Sequence, residues 1–351
     1  MTGSSRLQGY LIHESLVKKG YRSHLIFEPR GQYAPWEDFE GFLSPSWRGD
    51  LSGSVSIIQK LRGENTDRLI TWLKASGSHV VYVNCDVEDV NVSWKLSDQV
   101  LATTETLCEY HRKYGAKHVS RVREPYEFSS KPMERVKRDE NLQVLWFGYG
   151  SHWSALLPWK RILEEEYEGL FRLVTCSDHP EATHRWSLEI QRQLILESDI
   201  AIFPTMGGES YSAKSPNRLV QAMACGLPSI VGTRPSYKAI VNECSHVLEA
   251  TDENEFRKAL KFFTERENRH KAALHEYQYV VSRYSPEVVT QDWINQLGLE
   301  LVEGSQRKNR LASLRSGLSF GRKAMSVQRK LQDFGRKVGL LRSQKPSGRT
   351  Q

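Results

Sequence analysis

The sequence predicts an α/β protein of two successive parallel-sheet layers followed by a basic helical tail, and three observations carry that prediction. Short apolar runs alternate with amphipathic helical stretches at the spacing of βαβ units over the first 300 residues. The alternation is interrupted once, at 127–141, where Ser129, Ser130, Lys131, Pro132 and a mixed charge run from Glu134 to Glu140 read as a hinge between domains. After residue 300 the charge changes character. Residues 301–351 hold thirteen Lys or Arg against two acidic residues, Glu303 and Asp333, a surplus of eleven on a chain whose formal total is +7, which leaves the preceding part at −4.

The length of 351 residues suffices for two domains of ordinary size, and 39% hydrophobic with 10% aromatic content suits a globular chain. No run of about 18 apolar residues, the length a spanning helix requires, is present. The opening residues, Met1-Thr2-Gly3-Ser4-Ser5-Arg6, lack the apolar core of a signal peptide. Cys85, Cys108, Cys176, Cys225 and Cys244 are odd in number and far apart, with neither a CxxC nor a metal-ligand spacing. Buried reduced thiols in a cytoplasmic protein are the expectation.

The first helix is expected at 4–20, where Leu7, Leu11, Ile12 and Leu16 recur at helical spacing and Gly20 ends the run. A strand is expected at 24–27. Residues 32–63 read as a loop carrying Trp36, Phe39, Phe42 and Trp47, either receiving substrate or packing onto the body. A helix at 67–75, a buried strand at 80–83 running into Asn84-Cys85-Asp86, a strand at 98–103, a helix at 104–114 closed by Gly115 and a strand at 118–122 complete a Rossmann-like first layer.

The second layer restarts with the strand 142–147, the turn Gly148-Tyr149-Gly150-Ser151 and a helix at about 154–166. Strand, glycine turn and helix is where such layers place phosphate, though two glycines also serve a plain tight turn. A strand at 171–176, a helix at 186–196, a strand at 200–204 and a polar loop at 205–212 containing Glu209 follow. The best-marked stretch is 214–231. Ser215 stands as N-cap and Pro216 at the first helical position. Leu219, Val220 and Met223 make an apolar stripe, Gly226 and Pro228 end the helix, and 227–231 reads as a buried strand. Backbone N–H groups, the helix dipole, Lys214 and Arg218 meet at its front, which suits an anion such as phosphate. The other reading is a capped surface helix with two solvated cations. Helices at 256–263, 270–284 and 286–297 complete this part, the last amphipathic through Val289 and Trp293.

Lys214-Ser215-Pro216-Asn217-Arg218, the apolar positions after it, Gln221-Ala222-Met223-Ala224-Cys225-Gly226-Leu227-Pro228 and the strand to Val231 resemble the donor-site helix of GT-B glycosyltransferases, especially the group similar to family 4. The resemblance implies two Rossmann-like domains facing each other across a cleft. These would be an acceptor-side domain at 1–126, a linker at 127–141, a nucleotide-sugar domain at 142–286, a helix at 287–300 crossing back onto the first domain, and the tail at 301–351. It implies sugar transfer from a nucleoside-diphosphate donor to a glycan or lipid-linked acceptor. Gly148, Gly150, Ser151, Ser215 and Asn217 would hold the donor. Lys214 and Arg218 would neutralise the leaving diphosphate. Glu209 would face the sugar.

The family usually carries a Glu before Ala-Met-Ala that holds ribose hydroxyls. Gln221 stands there and still donates and accepts hydrogen bonds. Two Glu with seven residues between them are also usual, and Glu209 with Gln221 does not reproduce that spacing. The family's opening strand is not seen ahead of the first helix: either the reading frame starts late or the sheet lacks that strand, whose loss from a parallel sheet would expose apolar neighbours. No Asp-x-Asp motif stands in a suitable place, so no metal, and no cofactor beyond the sugar-nucleotide co-substrate, is expected. His13, Asp86 and Glu105 are candidate acceptor bases, with Asp86 carried among the catalytic residues; capping and solvation explain each as well. Two other classes stay open. One is a non-catalytic nucleotide-sugar or glycan-binding protein derived from this fold. The other is a nucleotide-sugar epimerase, which would need convergent carboxylates and His.

In the tail, Val327, Leu331, Phe334, Val338 and Leu341 form one helical stripe, and Arg322, Lys323, Arg329, Lys330, Arg336, Lys337 and Arg342 crowd the other positions. Residues 305–345 therefore suit an anionic membrane surface, at about 1 kcal/mol per cation near the lipid. A disordered tail and a partner-binding helix are the other readings. Nucleic acid is not expected, because no stacking aromatics interleave the charges.

Overall fold

Two parallel sheets follow one another along the chain. The computed structural model describes residues 3–25, 51–61, 63–85, 93–132, 141–205 and 212–301. Those up to Glu300 belong to one compact unit.

The chain begins with a helical segment that is π-helical over Ser5–Tyr10 and α-helical (α1) over Leu11–Lys18. β1 (Val55–Gln59), α2 (Glu64–Ala75), β2 (His79–Asn84), β3 (Gln99–Ala102), α3 (Glu105–Lys113) and β4 (Val119–Arg121) follow. The first sheet runs β1-β2-β3-β4, with every pair parallel. A central parallel strand is covered on both faces, and β2 shows it. Val81 and Val83 pack on one side with Ile12 and Leu16 of α1, while Val80 and Tyr82 pack on the other with Ile70 and Leu73 of α2.

Three expectations for this half need correction. β1 lies inside the stretch expected to be loop. His24 and Leu25 form no strand, and Ile26 and Phe27 lie outside the described residues. The apolar neighbours expected to be exposed are covered: Val81 and Val83 are 0% exposed, because α1 and the helix at 286–297 roof that face, and Val80 is covered on the other face by α2.

The second half comprises β5 (Leu142–Phe147), α4 (Trp153–Glu165), β6 (Phe171–Ser177), β7 (His184–Arg185), α5 (Leu188–Glu197), β8 (Ile200–Phe203), α6 (Asn217–Met223), β9 (Ser229–Val231), α7 (Pro235–Glu243), β10 (Leu248–Glu249), α8 (Glu253–Thr264), α9 (Arg266–Tyr284) and α10 (Pro286–Leu297). β7, α7 and β10 were not expected. The strand order is β10-β9-β8-β5-β6-β7, all parallel. The chain winds outward from β5 through β6 to β7, then returns to β8 on the other side of β5. The order reverses between β5 and β8, and the crevice beyond the carboxyl ends of those two strands is where open α/β sheets take ligands. α10 packs Val289, Trp293 and Ile294 into the first half's core.

The described start of the linker, residues 127–132, is held against the second half. Glu127 N donates to Gln221 Oε1 at 2.8 Å, and Ser130 N donates to Ala224 O at 3.0 Å. Gly226 has φ +61°, and a Cβ there would stand 2.7 Å from Pro132 Cγ. Residues 127–132 are thus strapped along α6. Arg6 pairs with Glu127 and its guanidinium lies 5.3 Å from the Trp186 ring, so the first helix reaches the same strap. The tail beyond Leu301 and its expected amphipathic helix lie outside the described residues. Among the described residues no helix is long and apolar enough to cross a membrane.

Candidate functional site

β5 ends at Phe147 and the glycine turn follows. Gly148 N donates to Cys176 O at 3.2 Å, and a Cβ on Gly148 would stand 2.5 Å from Arg218 Nη1. A methyl group here would have to displace the end of the Arg218 side chain. Gly150 N donates to Asp178 Oδ1 at 2.5 Å, so the segment after β6 fixes the turn. Ser151 is exposed and His152, the next residue, is buried at the start of α4.

Two cations meet this turn. Arg218 Nη1 donates to Phe147 O at 3.2 Å, and its guanidinium lies 5.6 Å from the Phe203 ring at the end of β8. Lys214 Nζ stands 3.0 Å from His152 Nε2. Burial, and after it the positive charges of Arg218, Lys214 and Arg234, push His152 down to about 3. The imidazole is therefore neutral at neutral pH, and its Nε2 accepts from the Lys214 ammonium, which has no lone pair to offer. Lys214, Arg218 and Gly148 accordingly converge at the reversal point between β5 and β8.

The front of α6 differs from expectation. Thr104, Ser187, Asp252 and Ser285 each cap a helix with a side-chain oxygen, whereas α6 has Pro216 at the cap position and no side-chain cap. Ser215 is buried and its Oγ donates to Glu124 Oε2 of the first half. A carboxylate draws a hydroxyl proton more strongly than a neutral acceptor does, which turns Ser215 away from the capping role. Glu124 Oε1 also accepts from Gln8 Nε2 at 3.2 Å. At seven residues α6 has only a short run of aligned peptide dipoles, so the positive potential here rests mainly on side chains.

Gln221 also departs from its expected role. It is buried, its Oε1 accepts from Glu127 N at 2.8 Å and its Nε2 donates to Phe128 O at 2.7 Å. Both ends of the amide are committed to linker backbone rather than open to a ribose. Asn217 is half-buried in the first turn of α6. Among the acceptor-base candidates, His13 Nδ1 lies 2.8 Å from Ser23 Oγ, with its pKa lowered chiefly by burial. Glu105 is exposed and pairs with Arg112 at 2.8 Å. Neither joins the cation pair. Asp86 and Glu209 lie outside the described residues. His152, Glu124 and Arg234 were missed. Among the described residues no group of three or more His, Cys, Asp or Glu is arranged to hold a metal. Cavities of about 580 and 470 Å³ lie beside α5 and β4 respectively, and neither borders Lys214.

Residues 134–295 match a family model described as glycosyl transferase-like. No curated protein matches the sequence. Among solved structures the chain aligns with TarM of S. aureus at TM-score 0.55 and 10% identity, covering 75% of this chain and 57% of TarM. It aligns with OtsA at TM-score 0.53 and 10% identity, covering 86% and 80%. It aligns with Anabaena HepE in complex with UDP and glucose at TM-score 0.52 and 13% identity, covering 81% and 88%. The chain thus spans little more than half of TarM. At these identities the likeness is one of fold, and the fold is GT-B.

Proposed function

We propose that this chain of GT-B fold is an enzyme that takes a sugar from a nucleoside-diphosphate donor and passes it to a glycan or lipid-linked acceptor. The observation that carries this reading is the convergence of Lys214 and Arg218 on the glycine turn at the β5–β8 reversal. As the bond between sugar and diphosphate breaks, negative charge grows on the leaving oxygen. Two half-buried cations already held in place stabilise that charge with little reorganisation. This is the role a divalent ion fills in other enzymes, so the proposed transfer is metal-independent. Phe147 O and the Phe203 ring hold the Arg218 guanidinium, and neutral His152 holds the ammonium without setting a competing negative charge beside it. HepE, whose structure contains UDP and glucose, shares the fold and supports a nucleotide sugar as donor.

Thermal unfolding with UDP, GDP, ADP and inorganic pyrophosphate tests the site. A diphosphate at a hundred times its Kd should stabilise the protein by about 2.7 kcal/mol. No shift with any of the four overturns the reading. A second reading, a binder without transfer, is favoured by the commitment of Gln221 to the linker. Release of nucleoside diphosphate from a matched sugar donor decides between the two. The tail is proposed to rest on an anionic membrane surface at the cytoplasmic face, and the five buried cysteines, which form no disulfide, fit that compartment. Flotation with anionic vesicles should be lost when residues 305–351 are deleted, and equal flotation removes the membrane role.

A further inference from the structure

The groups that hold Lys214 and Arg218 lead to a third cation. Ser236 Oγ, in the first turn of α7, donates to Lys214 O at 2.7 Å, so the start of that helix lies against the Lys214 backbone. The residue just ahead of the helix is Arg234, only 4% exposed. Its guanidinium lies 4.8 Å from the ring of Tyr237, which is itself 1% exposed. The Tyr237 ring lies 6.4 Å from that of Phe203, and Phe203 carries Arg218 at 5.6 Å. Two neighbouring aromatic rings, tilted 47° to one another, thus each carry a guanidinium. The positive charges that bear on buried His152 are those of Arg218, Lys214 and Arg234. Like charges gathered in a poorly solvated place repel strongly, and an incoming anion relieves that repulsion. Arginine keeps its charge under such burial where lysine readily loses it.

We propose that Arg234 completes the anion site as its third cation and sets the preference of the site for a diphosphate over a monophosphate. This rests on the donor-site reading above. Arg234 acts as a positioning charge: its field adds to those of Lys214 and Arg218 over the space beside His152, and Tyr237 keeps it there. A diphosphate spreads more negative charge over two phosphoryl groups than a monophosphate carries on one. Removing one of three cations therefore weakens the diphosphate more. A merely structural loss weakens both alike.

The experiment is calorimetric titration of wild type, R234Q and R234K with UDP and UMP. If another base binds better in the thermal screen, the matching diphosphate and monophosphate pair replaces them. R234Q should bind the diphosphate about tenfold more weakly, as for loss of a charged partner, with a smaller loss for the monophosphate. R234K should restore the wild-type ratio only in part, because a lysine buried there readily loses its charge. A ratio unchanged in R234Q overturns the role of Arg234 while leaving the donor site standing. A wild type that binds neither ligand overturns the donor reading itself. Should R234Q fail to fold, the Arg234 Nε–Hε resonance of the wild type, assigned by its loss in R234K, decides. It should shift more with diphosphate than with monophosphate, and equal or absent shifts overturn the proposal.

Discussion

Each half of the molecule buries a histidine, and their surroundings differ in kind. His111, 0% exposed, lies on α3 with Nε2 3.0 Å from Asn84 Nδ2 and its ring edge-on to Trp94 at 4.6 Å and to Tyr110 at 5.3 Å. Burial alone brings it down to about 4. His152 is also buried but sits among Lys214, Arg218 and Arg234, and those charges add to burial to bring it to about 3. The first pocket is an amide and two rings around an imidazole. The second gathers positive charge of one sign at the carboxyl ends of β5 and β8. Burial and a lowered pKa therefore do not distinguish a structural histidine from one in a binding site. The charges acting on it do.

Removing a cation from the second pocket should give the largest effect. R218A should weaken pyrophosphate binding about 10- to 100-fold, since a hydrogen bond to a charged group contributes about 1.5–3 kcal/mol. N84A should lower stability and leave binding alone. Calorimetric titration of both variants checks this, and equal binding losses would erase the contrast between the pockets.

Next comes Q221E, which puts the residue usual in the family into the place of Gln221. A carboxylate cannot donate to Phe128 O, so that carbonyl loses its amide donor and keeps only the long contact from Cys225 Sγ at 3.8 Å. The expected destabilisation in urea is about 1–3 kcal/mol. A gain in nucleotide affinity without that loss would return the position to ribose binding.

Acid separates the two histidines more finely. Both have folded pKa values below the ordinary 6.5. The unfolded chain thus binds protons that the folded chain refuses, and stability falls as pH drops below 6.5, toward about 4 for His111 and about 3 for His152. Each contributes a slope of about 1.4 kcal/mol per pH unit inside its window. H111Q and H152Q should each flatten the stability profile between pH 6.5 and 5 by one proton. Saturating pyrophosphate should shrink the share of His152 and leave that of His111. Identical profiles with and without the anion would count against charge relief at His152. The smallest effect belongs to G148A. The new methyl meets the mobile end of Arg218, so binding should weaken a few-fold while the melting temperature barely moves; a large melting loss would mean the turn itself is the strained part.

Much of the second half could be read in the sequence because its strands are continuous apolar runs between clear stops, as Leu142–Phe147 and Ile200–Phe203 are. β1 was missed because Val55-Ser56-Ile57-Ile58-Gln59 is a half-exposed edge strand with no clean alternation, set in a long loop-like stretch. α7 was not read, although Pro235 stands at its first position, a place where proline marks a helix start. Lys214 and Arg218 were found through the local pattern around them. His152 was not, because its link to Lys214 crosses 62 residues. Glu124 likewise meets Ser215 across 91 residues, and the partner that displaces Ser215 from its capping role has no trace in the spacing around it. Gln221 carried a role from its neighbours in sequence, whereas its amide answers to backbone 93 and 94 residues away.

The contact between Gly226 and Pro132 has a mechanical corollary. With no room for a methyl group between them, and with Gln221 and Ala224 tied to residues 127–130, the strap travels with α6 as a rigid passenger. The pivot for any swing of the first half then lies upstream of Glu127. Under the donor-site proposal, a ligand that shifts α6 would shift this strap with it, and through Glu127 the Arg6 end of the first helix.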